Sequence, residues 1–231
     1  EQTLFEEQIN ADHPYQPFLA NHVPCEFGSI SIPDQHTLHF RLTPPLAPSG
    51  KHPVIVYVYG GPGAQKVRRE WSSLPLQLFA HNGFGVLELD NRGSSNRGRA
   101  FEGPIYKAMG SVEIEDQLAG TQLLKDVPWA DIDNIGIFGH SYGGYMTLMS
   151  LCKAPDVFKA GAAVAPVSDW ALYDSHYTER YMGLPQDSPE AYNQSGVIAH
   201  LDQLSSPLLL MHGMADDNVL FTHSNLLSLR H

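Results

Sequence analysis

Five residues, Gly139, His140, Ser141, Tyr142 and Gly143, carry the clearest chemical signal in the chain. A short β-branched and aromatic run, 135–138, leads into them, and residues from 145 onward continue with helical composition. Strand, sharp turn with a serine at its apex, then helix is an arrangement that exposes a hydroxyl as a nucleophile. The turn forces the serine into a strained backbone conformation, so its neighbours must be small, and the flanking glycines meet that demand. A Gly-rich turn with an idle serine would show the same bare pattern, and the strand before it and the helix after it argue against that reading.

A serine hydroxyl is a poor nucleophile unless a base takes its proton, and the base in turn needs an acid to orient it. On the α/β-hydrolase fold, whose nucleophile elbow this turn matches, the chain order is serine, acid, histidine. The acid belongs just beyond a strand after the elbow. The run 208–211 is such a strand, and both Asp216 and Asp217 follow it, so position alone admits either. The developing oxyanion also needs two donors. The Tyr142 amide, next after the serine, supplies one. The other belongs to the loop after an earlier strand, where the Tyr59 hydroxyl precedes Gly60, Gly61, Pro62 and Gly63. The base is harder to place. One more helix, a strand and two loops put it ~24 or more residues past the acid, and the sequence continues only to His231. His223 falls at the start of the closing helix and His231 lacks a strand to return it, so both read as surface residues. None of the 12 histidines has the spacing of a metal site, and no Gly-rich loop has nucleotide-binding spacing. No cofactor is implied.

The elements that would position these groups alternate along the chain. Residues 25–32 and 36–42 read as a hairpin with its turn at 33–35. The run 53–59 is continuously β-branched and aromatic, as in a central strand buried on both faces. A helix at 76–82, a strand at 84–89, a polar loop at 90–94 and an acidic amphipathic helix at 111–124 follow, the last with Val112, Leu118, Leu123 and Leu124 on its apolar side. After the elbow come a small-residue strand at 160–165, an excursion of little regular period at 168–196, the strand 208–211 and a helix at 221–229. This order predicts an α/β fold with a mostly parallel, doubly wound sheet preceded by an antiparallel hairpin. Residues 1–24 have no period and read as a connector arriving from elsewhere, with 25–231 as one domain.

Composition agrees with a single globular domain: 42% hydrophobic and 17% charged residues. The net charge of −11 disfavours nucleic acid and anionic membranes as partners. No apolar run has the length of a membrane span and no signal peptide is visible. The sequence opens at Glu1 rather than a methionine, so an upstream segment is expected. Cys25 and Cys152 read as free structural thiols.

Six motifs taken together are far more specific than any one. They are YVYGGPG at 57–63, DNRG at 90–93, GHSYGGY at 139–145, PVSDW at 166–170, YDSHYTERYMGLP at 173–185 and HGMADDNV at 212–219. They resemble, in order and over nearly the whole chain, the hydrolase domain of the prolyl oligopeptidase family of serine peptidases. The tyrosine-rich block at 173–185 points to its dipeptidyl-peptidase IV branch. The resemblance implies Ser141 as nucleophile, Asp216 as the acid, and Tyr59 with the Tyr142 amide as oxyanion donors. It implies Val167, Trp170, Tyr173, Tyr177 and Val219 as walls of a proline pocket, and Asn218 as a ligand of the substrate carbonyl. The activity implied is release of N-terminal dipeptides after Pro or Ala through an acyl-enzyme, in a homodimeric periplasmic or extracellular protein. Two departures stand out: a β-propeller would precede residue 25, with 1–24 as its exit, and a last strand and the catalytic histidine would follow 231. A lipase or esterase on the same fold and a non-catalytic interaction module are the competing readings.

Overall fold

In the computed structural model, which describes residues 9–33, 36–71 and 73–230, seven strands form one sheet. They are β1 (Glu26–Ser31), β2 (Thr37–Thr43), β3 (His52–Val58), β4 (Gly85–Asp90), β5 (Ala130–His140), β6 (Phe158–Val164) and β7 (Leu208–Met211). The helices are α1 (Leu74–His81), α2 (Arg99–Glu102), α3 (Val112–Leu123), α4 (Tyr142–Lys153), α5 (Ser175–Met182), α6 (Pro189–Ser195) and α7 (Thr222–Arg230). Spatial order is β1-β2-β4-β3-β5-β6-β7. The hairpin joins antiparallel through β2 to β4, and β4, β3, β5, β6 and β7 run parallel. Asp34 and Gln35 of the expected turn lie outside the described residues.

The order reverses at β3, with β4 on one side and β5 on the other. In such sheets the crevice beyond the carboxyl ends of the strands at the reversal is where ligands bind. Both Tyr59, just past β3, and Ser141, just past β5, emerge there. This is the doubly wound α/β architecture that the alternation of elements predicts.

Burial on both faces of β3 holds for one face only. Val54, Val56 and Val58 are buried against α4, whereas Ile55 and Tyr57 are half-buried. On that second face Phe79 of α1 meets Phe138, which stacks on Tyr57, and farther along Leu209 of β7 is 57% exposed. The described part of the connector is not loose either. Residues Gln16–Asn21 form a 3-10 turn, and Val23 exchanges two backbone hydrogen bonds with the Gln77 side chain of α1, at 2.8 and 2.9 Å.

The acidic helix buries a largely polar face. Glu113, Asp116, Gln117 and Thr121 of α3 are buried together with Ile114 and Gly120, whereas of the four expected apolar residues only Leu124 is fully buried and Val112, Leu118 and Leu123 are half-buried. The physical reason is the loop beneath it. Residues 91–94, part of the polar loop expected at 90–94, are buried, and α3 satisfies their polar groups. Arg92 donates through its backbone N–H and its guanidinium to Asp116, at 2.7 Å for both N–H and Nη2. Gln117 donates to Asn91 Oδ1 at 2.8 Å, and Asn91 donates to the carbonyl of Gly60 at 2.9 Å. The excursion at 168–196 is also more regular than its composition predicts. It contains α5 and α6, the first started by Asp174, whose side chain accepts from the Tyr177 N–H. No helix among the described residues is long and apolar enough to cross a membrane.

The buried pair of Arg92 and Asp116 generates a stability prediction. Asp116→Ala takes from the guanidinium its buried carboxylate partner, while the 3.2 Å contact with the exposed Glu115 remains, and should destabilise the domain by about 3 kcal/mol. Chemical denaturation of the variant beside the wild type measures this, and a loss under 1 kcal/mol would contradict a role for the pair in holding residues 91–94.

Candidate active site

Ser141 sits between β5 and α4 at φ 60° and ψ −119°, a conformation that non-glycine residues rarely adopt. Its N–H donates to the Val164 carbonyl of β6 at 2.9 Å, and its carbonyl accepts from the Tyr145 N–H at 3.0 Å. Two glycines make the turn possible by close approach. A Cβ on Gly139 would come 2.2 Å from the Gly143 carbonyl oxygen, and one on Gly143 would come 2.3 Å from that of Val58 in β3. The serine is therefore lifted off the sheet by backbone packed directly on backbone. Among the described residues, nothing hydrogen-bonds to the Ser141 hydroxyl.

Ser141, Tyr59 and Tyr142 line one small cleft together with Val167, Trp170, Tyr173 and Tyr177. Trp170 and Tyr177 stack at 6.1 Å, and Tyr173 meets both rings edge-on at 6.1 and 5.4 Å. Burial is the main cause that pushes the Tyr59 phenol above its ordinary pKa, with neighbouring Tyr173 and Tyr181 adding to it. Tyr59 thus keeps its proton at neutral pH and remains a donor. Burial also raises Tyr177 strongly.

Asn218 reaches this cleft through Tyr173, whereas Val219 is not among the residues that line it. Tyr173 donates its hydroxyl proton to Asn218 Oδ1 at 3.0 Å, and Val219 is buried in the core. The loop carrying them is organised by Asp216, whose Oδ1 accepts from the backbone N–H groups of Asn218 and Val219, each at 3.0 Å. The Asn218 bond is the largest cause that holds the Asp216 carboxyl below its ordinary pKa; the Val219 bond and the nearby His212 and His140 act the same way, against a smaller cost of burial. Asp217 is exposed, so the two carboxylates that position alone left open have different surroundings.

His212 supports the same loop, a role that sequence reasoning missed. Its Nε2 lies 2.7 Å from the Val219 carbonyl and 3.6 Å from Asp216 Oδ2, and Nδ1 lies 2.6 Å from Ser224 Oγ. A carbonyl only accepts, so Nε2 carries a proton, and Nδ1 shares its hydrogen bond with the Ser224 hydroxyl. The spacing His212, Asp216, Ser224 offers no sequence signal, because the three meet only through the turn after β7.

His223 is a correction. Expected on the surface, it is 0% exposed, and its Nδ1 accepts the Ser168 N–H at 3.1 Å. Helix α7 packs this residue beneath the 167–170 segment, so the histidine is spent on holding the cleft wall rather than on Ser141. Burial pushes its pKa down to about 4. His231 lies outside the described residues. Also among the described residues, no group of three or more His, Cys, Asp and Glu is placed to hold a metal ion.

Residues 70–228 match the prolyl oligopeptidase family. The chain belongs to that family. It is 39% identical over 218 residues to mouse dipeptidyl peptidase 8, an alignment covering 90% of this chain and 24% of that protein. With dipeptidyl peptidase 4 of Trichophyton equinum it shares 40% identity over 211 residues, covering 87% of this chain and 27% of the other. The crystal structure of Porphyromonas gingivalis dipeptidyl peptidase 4 superposes with a TM-score of 0.88 at 36% identity, over 96% of this chain and 32% of that one. The chain thus spans about a quarter to a third of the length of these prolyl oligopeptidase relatives, and its fold is that of an α/β-hydrolase.

A pH prediction follows from His223. Its folded pKa of about 4 lies below the ordinary 6.5, so between these values the unfolded chain binds a proton that the folded chain does not. The stability contributed by the neutral ring is complete above about pH 6.5 and is lost as the pH falls toward 4. Thermal midpoints of the wild type should decline across that window, and His223→Gln should flatten the decline; parallel profiles would show that other groups carry it.

Proposed function

We propose that residues 25–231 form the catalytic core of a serine exopeptidase that releases N-terminal dipeptides by cleavage after Pro or Ala, with residues 1–24 entering from a preceding β-propeller. The observation that carries this reading is the opening of the strained Ser141 into an aromatic-walled cleft beside the Tyr59 hydroxyl. The family membership and the dipeptidyl peptidases among the relatives support it.

In this mechanism Ser141 Oγ attacks the carbonyl carbon of the second residue while a histidine base takes its proton. That base comes from outside the described residues, oriented by Asp216. The carbonyl becomes an oxyanion, received by the Tyr59 hydroxyl and the Tyr142 N–H. Collapse of the tetrahedral species breaks the C–N bond, and the base returns its proton to the departing amine. Water, deprotonated by the same base, then releases the dipeptide from Ser141.

Selectivity follows from the walls of the cleft. Proline is compact and apolar and brings no N–H of its own into the pocket, so Val167, Trp170, Tyr173, Tyr177 and Val219 can surround it without leaving a polar group unpaired. Alanine fits the same space with less contact. Asn218, turned toward the cleft by its bond to Tyr173, offers an amide to a substrate carbonyl.

The full-length protein should hydrolyse a Gly-Pro anilide and be labelled by a fluorophosphonate, and Ser141→Ala should abolish both; labelling that persists in the variant would remove Ser141 from the role. Tyr59→Phe should lower kcat by about two to three orders of magnitude, since one oxyanion donor is worth ~3 kcal/mol in the transition state. A change in kcat of less than about fivefold would make Tyr59 a packing residue.

A further inference from the structure

We propose that Glu113 is a positioning residue for the oxyanion site: its carboxylate anchors the Tyr142 phenol, and through that ring fixes the Tyr142 backbone N–H beside Ser141. The assignment rests on the serine-peptidase reading above.

Glu113 lies in the first turn of α3 and is 0% exposed. Its Oε1 accepts from the Gly110 N–H at 2.9 Å and from the Tyr142 hydroxyl at 2.7 Å, and its Oε2 accepts from the Ser111 N–H at 3.0 Å. Two of these donors belong to the turn that begins α3, and an exposed glutamate could reach them equally well. Only the third explains why the side chain points into the interior. Burial raises the Glu113 pKa, while the three donors, the helix N-terminus and the nearby Lys153 ammonium favour its charged form. Lys153 is itself fixed, donating to the Gly110 carbonyl at 2.8 Å. The Tyr142 hydroxyl therefore has a buried, held acceptor.

The ring of Tyr142 joins the two parts of the oxyanion site. A Cβ on Gly61, in the loop after Tyr59, would fall 2.6 Å from Tyr142 Cγ, so ring and loop are in contact. On its other sides the ring meets Tyr59, Tyr145 and Trp170 at centroid distances of 6.0, 5.3 and 5.4 Å. These contacts limit how far the ring can translate, but contacts between flat rings leave tilt and sliding open. The hydrogen bond to Glu113 removes that freedom. A tyrosine has two side-chain torsions, so fixing its far end and its flanks fixes its Cα, and with it the direction of the N–H that immediately follows the strained serine. Oxyanion stabilisation depends on a donor held about 3 Å from where the charge develops. Glu113 touches no reacting atom and acts only through Tyr142.

The test uses the full-length protein with Tyr142→Phe, Glu113→Gln and the double variant. Tyr142→Phe deletes one oxygen, keeps the backbone donor and leaves Glu113 its two amide partners, so it should fold. Active sites are titrated with a fluorophosphonate, and kcat and KM are measured on a Gly-Pro anilide. Inhibition by a prolyl boronate, which forms a tetrahedral adduct with the serine, is compared with inhibition by the product dipeptide. We expect Tyr142→Phe to lower kcat about tenfold with KM within about twofold, to weaken the boronate by the same factor and to leave product binding unchanged. Glu113→Gln should match it, and the double variant should be no worse than either single one. Lower melting temperatures with kcat per titrated site within twofold of wild type would reduce the bond to core packing and overturn the proposal. If the wild type is labelled but leaves the anilide uncut, labelling rates replace kcat with the same expectation. A wild type that reacts with neither probe overturns both this inference and the peptidase reading, whereas a reactive wild type with unaffected variants overturns this one alone.

Discussion

The conformation of Ser141 is the constraint to which the rest of the molecule is fitted. A residue at φ 60° and ψ −119° is held there only if its surroundings leave no alternative. Here the surroundings are mostly backbone: Gly143 packs on the Val58 carbonyl of β3 and on Gly139 of β5, and Val164 of β6 receives the serine N–H. Three adjacent strands and one helix must therefore meet at main-chain distance. That contact places the turn at the carboxyl ends of β3 and β5, where the strand order reverses, and brings Tyr59 alongside. The cleft is a consequence of how the turn is held.

Helix α3 shows how much polar structure such an arrangement needs. Asp116 holds Arg92, Gln117 holds Asn91 and through it the Gly60 carbonyl, and Glu113 holds Tyr142. All lie on one helix face at spacings of three and four residues. An unmet charge inside the domain is costly, but the partnered carboxylates of this set resist displacement because any shift breaks several charge-assisted bonds at once. Gln117 Oε1, by contrast, is buried with no hydrogen-bond partner among the described residues. An apolar face would bury α3 as well, without fixing the residues beneath it to a few tenths of an ångström.

This also marks where the sequence was readable and where it was not. The strands β3 to β7 and the turn at Ser141 are legible because hydrophobic runs, glycines and the helix that follows act locally. The polar face of α3 was hidden: its leucines suggested the usual amphipathic packing, and only the partners contributed by residues 91–94 and Tyr142 bring its acidic residues inside beside Leu124. The stripe of Glu113, Asp116 and Gln117 was a signal, but one that an exposed helix would display equally. In 168–196 the aromatic residues serve two surfaces at once: Trp170, Tyr173 and Tyr177 line the cleft, while Tyr192 belongs to the core, so their spacing obscures the periods of α5 and α6. His223 was misplaced for a related reason, since its burial depends on Ser168, 55 positions away.

The two halves of the candidate site are held unequally. The half that carries Ser141, Tyr59 and Tyr142 rests on the central strands and on α3. The half that carries Asp216 rests on β7, which among the described residues pairs only with β6, over four register positions. Asp216 shapes its own loop by binding the Asn218 and Val219 amides, and His212 ties that loop to α7 through Ser224. The side-chain bond from Tyr173 to Asn218 then links the loop to the aromatic wall. In the proposed mechanism the half with more buried polar bonds is the one where charge would develop on the substrate, and a misplaced donor there loses stabilisation steeply with distance. In the same mechanism Asp216 would have the looser task of orienting a histidine. The distribution of buried polar bonds between the halves follows that difference in demand.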